Sequence, residues 1–115
     1  MTSSPLNQPL LVLTSVPEAE LAEQLARSLV EQQLAACVNI LAPVASVYRW
    51  AGKIEQATEI PLLIKSTQAR YAELERAILR AHPYDVPEIV VLPVSGGLAS
   101  YLQWMRDETA APLQT

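Results

Sequence analysis

Two extended segments on either side of Gly52 restrict the fold more than any other feature of this chain. Val44 to Trp50 alternates, with Val44, Ser46, Tyr48 and Trp50 on one face and Ala45, Val47 and Arg49 on the other. From Lys53 a second extended segment runs to Thr67. Its strongest part is Ile60 to Ser66, where Leu62 and Ile64 face one way and Leu63 and Lys65 the other. Period-two alternation marks strands, and two such runs about a short turn make a hairpin. A chain of 115 residues has room for one domain with one modest core. A hairpin this long overreaches such a core, so its tip needs something else to lie against. Pro43 predicts a bend or an exposed edge before the first arm. Pro61 lies inside the second arm and has no N–H for a ladder, so a bulge or an unpaired position is expected there.

The rest of the chain supplies the elements around this hairpin. Pro9 to Thr14 reads as a buried strand. Ser15 with Glu18 is a capping-box pattern, and Pro17 suits a first helical turn. Leu21, Leu25 and Leu29, joined by Ala22, Ala26 and Val30, form an apolar stripe with Glu20, Glu23, Arg27 and Glu31 between them. That spacing predicts an amphipathic helix of about 15 residues. Cys37 to Ile40 reads as strand. Thr67 is placed to cap a second helix with the stripe Tyr71, Leu74 and Ile78, Leu79 beside it, and His82-Pro83 as its end. Pro87 to Val94 is a fourth strand, Gly96-Gly97 a turn, and Leu98, Tyr101, Leu102 and Met105 a short last helix.

The order strand, helix, strand, strand, helix, strand is the split βαβ, or ferredoxin-like, pattern of an α+β sandwich. Here it carries a long hairpin between its second and third strands and an extra C-terminal helix. Residues 1–8 are expected to be a flexible tail, 9–108 a single domain and 109–115 a second tail. Helices would cover one sheet face. Only one short helix is left for the other, so another subunit is the expected cover.

Composition removes several function classes. Lys and Arg number 8 against 12 Asp and Glu, a net charge of −4, with no basic run of the kind a phosphate backbone needs. No apolar stretch is long enough to span a membrane. The start does not read as a signal peptide, which leaves the cytoplasm as the expected compartment. The single cysteine, Cys37, excludes an internal disulfide and a four-cysteine zinc site. The three glycines leave no phosphate cradle, and a single histidine with no GxSxG element argues against HExxH and triad chemistry.

Few polar residues remain for chemistry. Cys37, His82, Asp85 and Glu88 are possible metal ligands, with Cys and His suited to copper or zinc. Their bland readings are a buried inert thiol and a helix-end histidine. His82-Pro83-Tyr84-Asp85-Val86-Pro87-Glu88 is a loop stiffened by two prolines, with polar groups at each end. A second polar set, Tyr48, Arg49, Trp50, Glu59 and Lys65, lies on the hairpin. Glu59 and Lys65 share a face if the strand is undisturbed. His82 and Glu88 are the one pair that could converge for acid–base work.

In combination these residues resemble the CutA divalent-cation tolerance family. The matching pieces are Ala35-Ala36-Cys37-Val38-Asn39-Ile40, Tyr48-Arg49-Trp50 with Gly52-Lys53-Ile54, and Glu59 with Leu62-Leu63-Ile64-Lys65. His82-Pro83-Tyr84, Val86-Pro87-Glu88-Ile89, and Tyr101, Leu102 and Trp104 complete the set. The resemblance covers Leu10 to Met105. It implies a ferredoxin-like homotrimer, similar in architecture to the PII signalling proteins, with hairpins running between subunits and no enzymatic reaction. It also implies binding of copper or another divalent cation, weak or labile, through Cys37 and His82 with Glu59 and Glu88 behind them. Tyr48, Trp50, Lys65 and Tyr84 would line subunit clefts. Pro61 and the single Cys and His depart from what the family pattern leads one to expect, so a strong copper site would need symmetry-related copies. The alternative expectation is a PII-like module that binds a small anionic ligand at those clefts. Arg49, Lys65 and His82 would supply its positive charge, and Trp50 or Tyr84 would stack on the ligand.

Overall fold

The computed structural model describes residues 5–110. Of the tails expected at 1–8 and 109–115, residues 1–4 and 111–115 lie outside the described residues. A 3-10 turn at Pro5–Asn7 leads into β1 (Pro9–Val16), α1 (Ala19–Glu31), β2 (Cys37–Ile40), β3 (Val44–Trp50) and β4 (Lys53–Thr67). α2 (Gln68–Ala81), β5 (Ile89–Pro93) and α3 (Ala99–Glu108) follow. Within the stretch assigned to the first tail, residues 7 and 8 make defined contacts. The Gln8 amide donates to the Pro9 and Val94 carbonyls, and the Arg106 guanidinium donates to the Asn7 carbonyl.

The sheet is antiparallel throughout, in the order β2-β4-β1-β5, with β3 paired to β4. That is the ferredoxin-like order expected from the element sequence. β4 holds it together, pairing with β1 from Ile60 to Thr67, with β2 from Leu62 to Lys65, and with β3 from Lys53 to Glu59. Its side chains alternate as predicted. Ile60, Leu62, Ile64 and Ser66 are buried under the helices, whereas Pro61, Leu63 and Lys65 are only half-buried on the opposite face.

Pro61 does not break this strand. Its register with β1 runs unshifted from Pro9↔Thr67 to Val16↔Ile60. The irregularity falls on the facing chain instead. Between the pairs Ile40↔Leu62 and Val44↔Glu59, Leu41, Ala42 and Pro43 stand opposite only Ile60 and Pro61. The Pro61 carbonyl accepts from the Leu41 N–H, so its missing donor also faces this interruption rather than β1. At the hairpin tip Ala51 (φ 51°) and Gly52 (φ 79°) both adopt left-handed backbone, the geometry of a two-residue turn that follows strand twist.

The core lies between the sheet and the first two helices. Ala22, Leu25 and Leu29 of α1 and Leu74, Ala77 and Ile78 of α2 pack on Leu10, Val12, Leu62 and Ile64. Val30 and Leu79, at the margins of the two stripes, are exposed. α1 ends in a left-handed Gln33 (φ 57°), with Leu34 N–H donating to the Leu29 carbonyl and Gln33 N–H to the Val30 carbonyl. This is a Schellman closure, sealed by buried Leu29 against buried Leu34. Buried Arg70 of α2 donates to the Gln32 and Gln33 carbonyls and so ties the two helices together.

Two expected caps do not form. Ser15 is held extended in β1 opposite Pro61, too early in the chain to reach the helix, and Glu18 takes the N-cap position without a side-chain bond. Thr67 occupies the N-cap of α2, but its hydroxyl pairs with the Thr109 hydroxyl at 3.1 Å.

On the far sheet face α3 covers only the end near Lys65, with Met105 buried. Elsewhere Val90 and Leu92, register partners of Leu13 and Leu11, remain 45% and 46% exposed. This is the incompletely covered face expected from the element count.

Leu25→Ala should lower unfolding free energy by about 2–5 kcal/mol in a denaturant titration. An unchanged midpoint would refute its place in the core. Thr14 is fully buried among apolar neighbours, and its Oγ1 has no hydrogen-bond partner among the described residues. Thr14→Val keeps the shape and removes the hydroxyl, so it should raise stability by about 1–2 kcal/mol.

Candidate functional site

The hairpin and the stiff loop between α2 and β5 enclose a cavity of about 730 Å³. Pairing of Val44 with Glu59 aligns Glu59 with the face of β3 that carries Ser46, Tyr48 and Trp50. Glu59, Ser46, Tyr48 and Trp50 line the cavity, joined from the loop by Pro83, Tyr84, Asp85, Val86 and Glu88. Two separate polar sets picked out in the sequence, one on the hairpin and one on the loop, therefore meet at one site. Asp85 is a ligand type expected from the sequence. Pro83, Val86, Ser46 and Val47 are lining residues that sequence reasoning missed, although the first two lie inside the loop that the sequence singles out.

His82 fixes the loop without entering the cavity. Its ring is buried at the end of α2. Nε2 lies 2.6 Å from the Ser15 carbonyl and therefore donates to it, and Nδ1 accepts the Tyr84 backbone N–H at 3.2 Å. Those two bonds define a single neutral tautomer and use both ring nitrogens. The Tyr84 ring packs against the imidazole, with centroids 4.7 Å apart. His82 thus works as a bracket between β1 and the loop. It has no free nitrogen for a metal ion or for an acid–base pairing with Glu88 in this conformation.

Tyr84 also answers to the hairpin. Burial raises its hydroxyl pKa above the ordinary tyrosine value, and the neighbouring Glu59 carboxylate and Tyr48 add to the rise. The hydroxyl therefore keeps its proton through neutral pH and presents a donor beside Glu59.

The other expected residues lie elsewhere. Cys37 is a half-buried free thiol on the edge strand β2, opposite Lys65. His82 is bonded to Ser15, which pairs with Pro61, four residues away from Lys65 along β4. That is about 13 Å along a strand, so Cys37 and His82 stand at different levels of the sheet. Lys65 and Glu59 share the parity of β4, but the Lys65 ammonium sits 5.5 Å over the Tyr101 ring, against α3, while Glu59 lines the cavity. Arg49 is exposed and does not line the cavity. The cluster of Arg49, Lys65 and His82 expected to receive an anion is therefore not assembled within the chain. Among the described residues no three His, Cys, Asp or Glu side chains are grouped to hold a metal ion. No helix among them is long and apolar enough to cross a membrane.

The chain is similar in sequence and fold to known proteins. The family described as CutA1 divalent ion tolerance protein matches residues 10–108. The divalent-cation tolerance protein CutA of Pectobacterium atrosepticum is 44% identical over 106 residues, covering 92% of this chain and 96% of that protein. Among solved structures, the divalent cation tolerance protein of Thermus thermophilus superposes with a TM-score of 0.87 at 43% identity, covering 89% of this chain and 99% of that one. CutA1 from Oryza sativa superposes with a TM-score of 0.88 at 37% identity, covering 95% and 100%. A match across the whole ferredoxin-like body, hairpin and loop included, leads to one conclusion: the chain belongs to the CutA1 divalent ion tolerance protein family.

Proposed function

We propose that this protein serves divalent-cation tolerance as a non-enzymatic homotrimer in the cytoplasm, taking up copper or a similar cation weakly between subunits. The names carried by its relatives support the cation. The observation that supports assembly is the sheet face left open beside α3. Leu11, Leu13, Leu63, Val90 and Leu92 share that face by register, and Cys37 shares it at the edge strand. An apolar face of this kind is stabilised by a second copy, as in obligate oligomers. Closed symmetry would then bring several copies of one soft donor within reach of a shared ion, which a single chain does not do. Glu59 and Glu88 remain as carboxylate donors on the hairpin and loop.

The cavity favours a second reading, a small-ligand module of the PII-like kind. Its volume lies in the usual range for ligand sites, and aromatic walls with a few converging polar groups are their usual lining.

Native mass spectrometry during titration with copper(II), and with zinc for comparison, reads subunit number and bound ions together. The expected result is a trimer that takes up copper in a defined ratio, with the step lost in Cys37→Ala. His82→Ala should leave the ratio intact and lower the unfolding free energy by about 1–3 kcal/mol, because it strands the buried Ser15 carbonyl. A monomer, or graded uptake that Cys37→Ala does not change, would overturn the metal reading.

A further inference from the structure

We propose that the cavity between hairpin and loop is a site for a small organic cation, an alkylammonium or a guanidinium. This rests on the second reading above and gives its ligand a charge opposite to the one expected from the sequence. The charged side chains that this chain's described residues bring to the lining are all acids, namely Glu59, Asp85 and Glu88, with no Lys, Arg or His among them. The remaining walls include three aromatic side chains, Tyr48, Trp50 and Tyr84. Aromatic rings present a negative face, so both kinds of wall attract positive charge, and the rings also accept the apolar body of an organic ion.

The same features argue against the two other ligand classes. A bare metal ion needs several donors converging within a little over 2 Å, and among the described residues no such group exists. A cavity of about 730 Å³ also exceeds what one such ion fills. An anion would meet three carboxylates, and among the described residues of this chain no cation lines the cavity to offset them. Trp50 lines the cavity while 54% exposed, and the protonated Tyr84 hydroxyl beside Glu59 adds a neutral polar contact. The backbone bond from Tyr84 to His82 holds the loop wall in place before any ligand arrives.

The test uses the full-length assembled protein and three probes of one size: n-butylammonium, n-butanol and butyrate. Ligand-observed NMR and calorimetry at fixed ionic strength give their affinities. The expected result is saturable binding of butylammonium, at least about tenfold tighter than butanol or butyrate. Trp50→Leu and Glu59→Gln should each weaken butylammonium by about tenfold, and Glu59→Gln should leave butanol unchanged. Both positions lie on the hairpin outside the helix-packed core, so the variants should fold, and a thermal melt checks this. Equal binding of all three probes, or preference for butyrate, would overturn the cation assignment while keeping a ligand cavity. No saturable binding of any probe would overturn both. So would full protection of Trp50 from acrylamide quenching in a Trp104→Phe background, because a neighbouring copy would then fill the cavity.

Discussion

The unbroken pairing of β4 is the constraint on which the rest of the structure depends. One strand serves three neighbours, and its alternation is never reset. A one-residue slip would send Leu62 and Ile64 to the open face and Leu63 and Lys65 into the core. Burying Lys65 would carry a heavy desolvation cost, so charge as well as apolar area fixes the register. The same parity places Glu59 under the hairpin and lines it up with Tyr48 and Trp50. Core packing and site geometry therefore come from one strand decision.

The polar bonds add local order at places where the chain must change direction. From the neighbouring helix Arg70 donates to the carbonyls of Gln32 and Gln33, which follow the end of α1. Charge-assisted bonds to carbonyls at a helix C-terminus are favoured by the helix dipole, and here they help to offset the strain of the left-handed Gln33. His82 does a similar job at the other end of α2, where Pro83 prevents the helix from continuing. The lone histidine thus invites a chemical reading in the sequence and proves to be a structural joint in the fold.

Much of the fold was legible in the residues. The alternation of Val44 to Trp50, the Leu21-Leu25-Leu29 spacing and the His82-Pro83 stop each report a local preference that tertiary packing keeps. The failures are equally physical. The Ser15-Glu18 cap is a local pattern overridden by strand pairing, because β1 extends to Val16. The disturbance expected at Pro61 falls on the facing chain, because its missing N–H points there. Of the site, residue types and the stiff loop were readable, and their meeting was not. Whether Glu59 faces Tyr84 or Lys65 depends on the distance along β4 and on where α3 lands, and spacing reports neither. The sign of the lining depends on Arg49 alternating away, which becomes a statement about the cavity only after the hairpin is placed.

The gap at 41–43 has a mechanical consequence. Pairing with β1 ends at Ile60 and pairing with β2 ends at Leu62, while β3 takes over only at Glu59. The backbone link between hairpin and body therefore narrows to a neck at Ile60 and Pro61, bordered by a chain with one residue too many. Bending compliance concentrates at such a neck, and a small rotation there is magnified at Trp50 by the length of the arm. The angle at that neck sets the gape of the space between hairpin and loop.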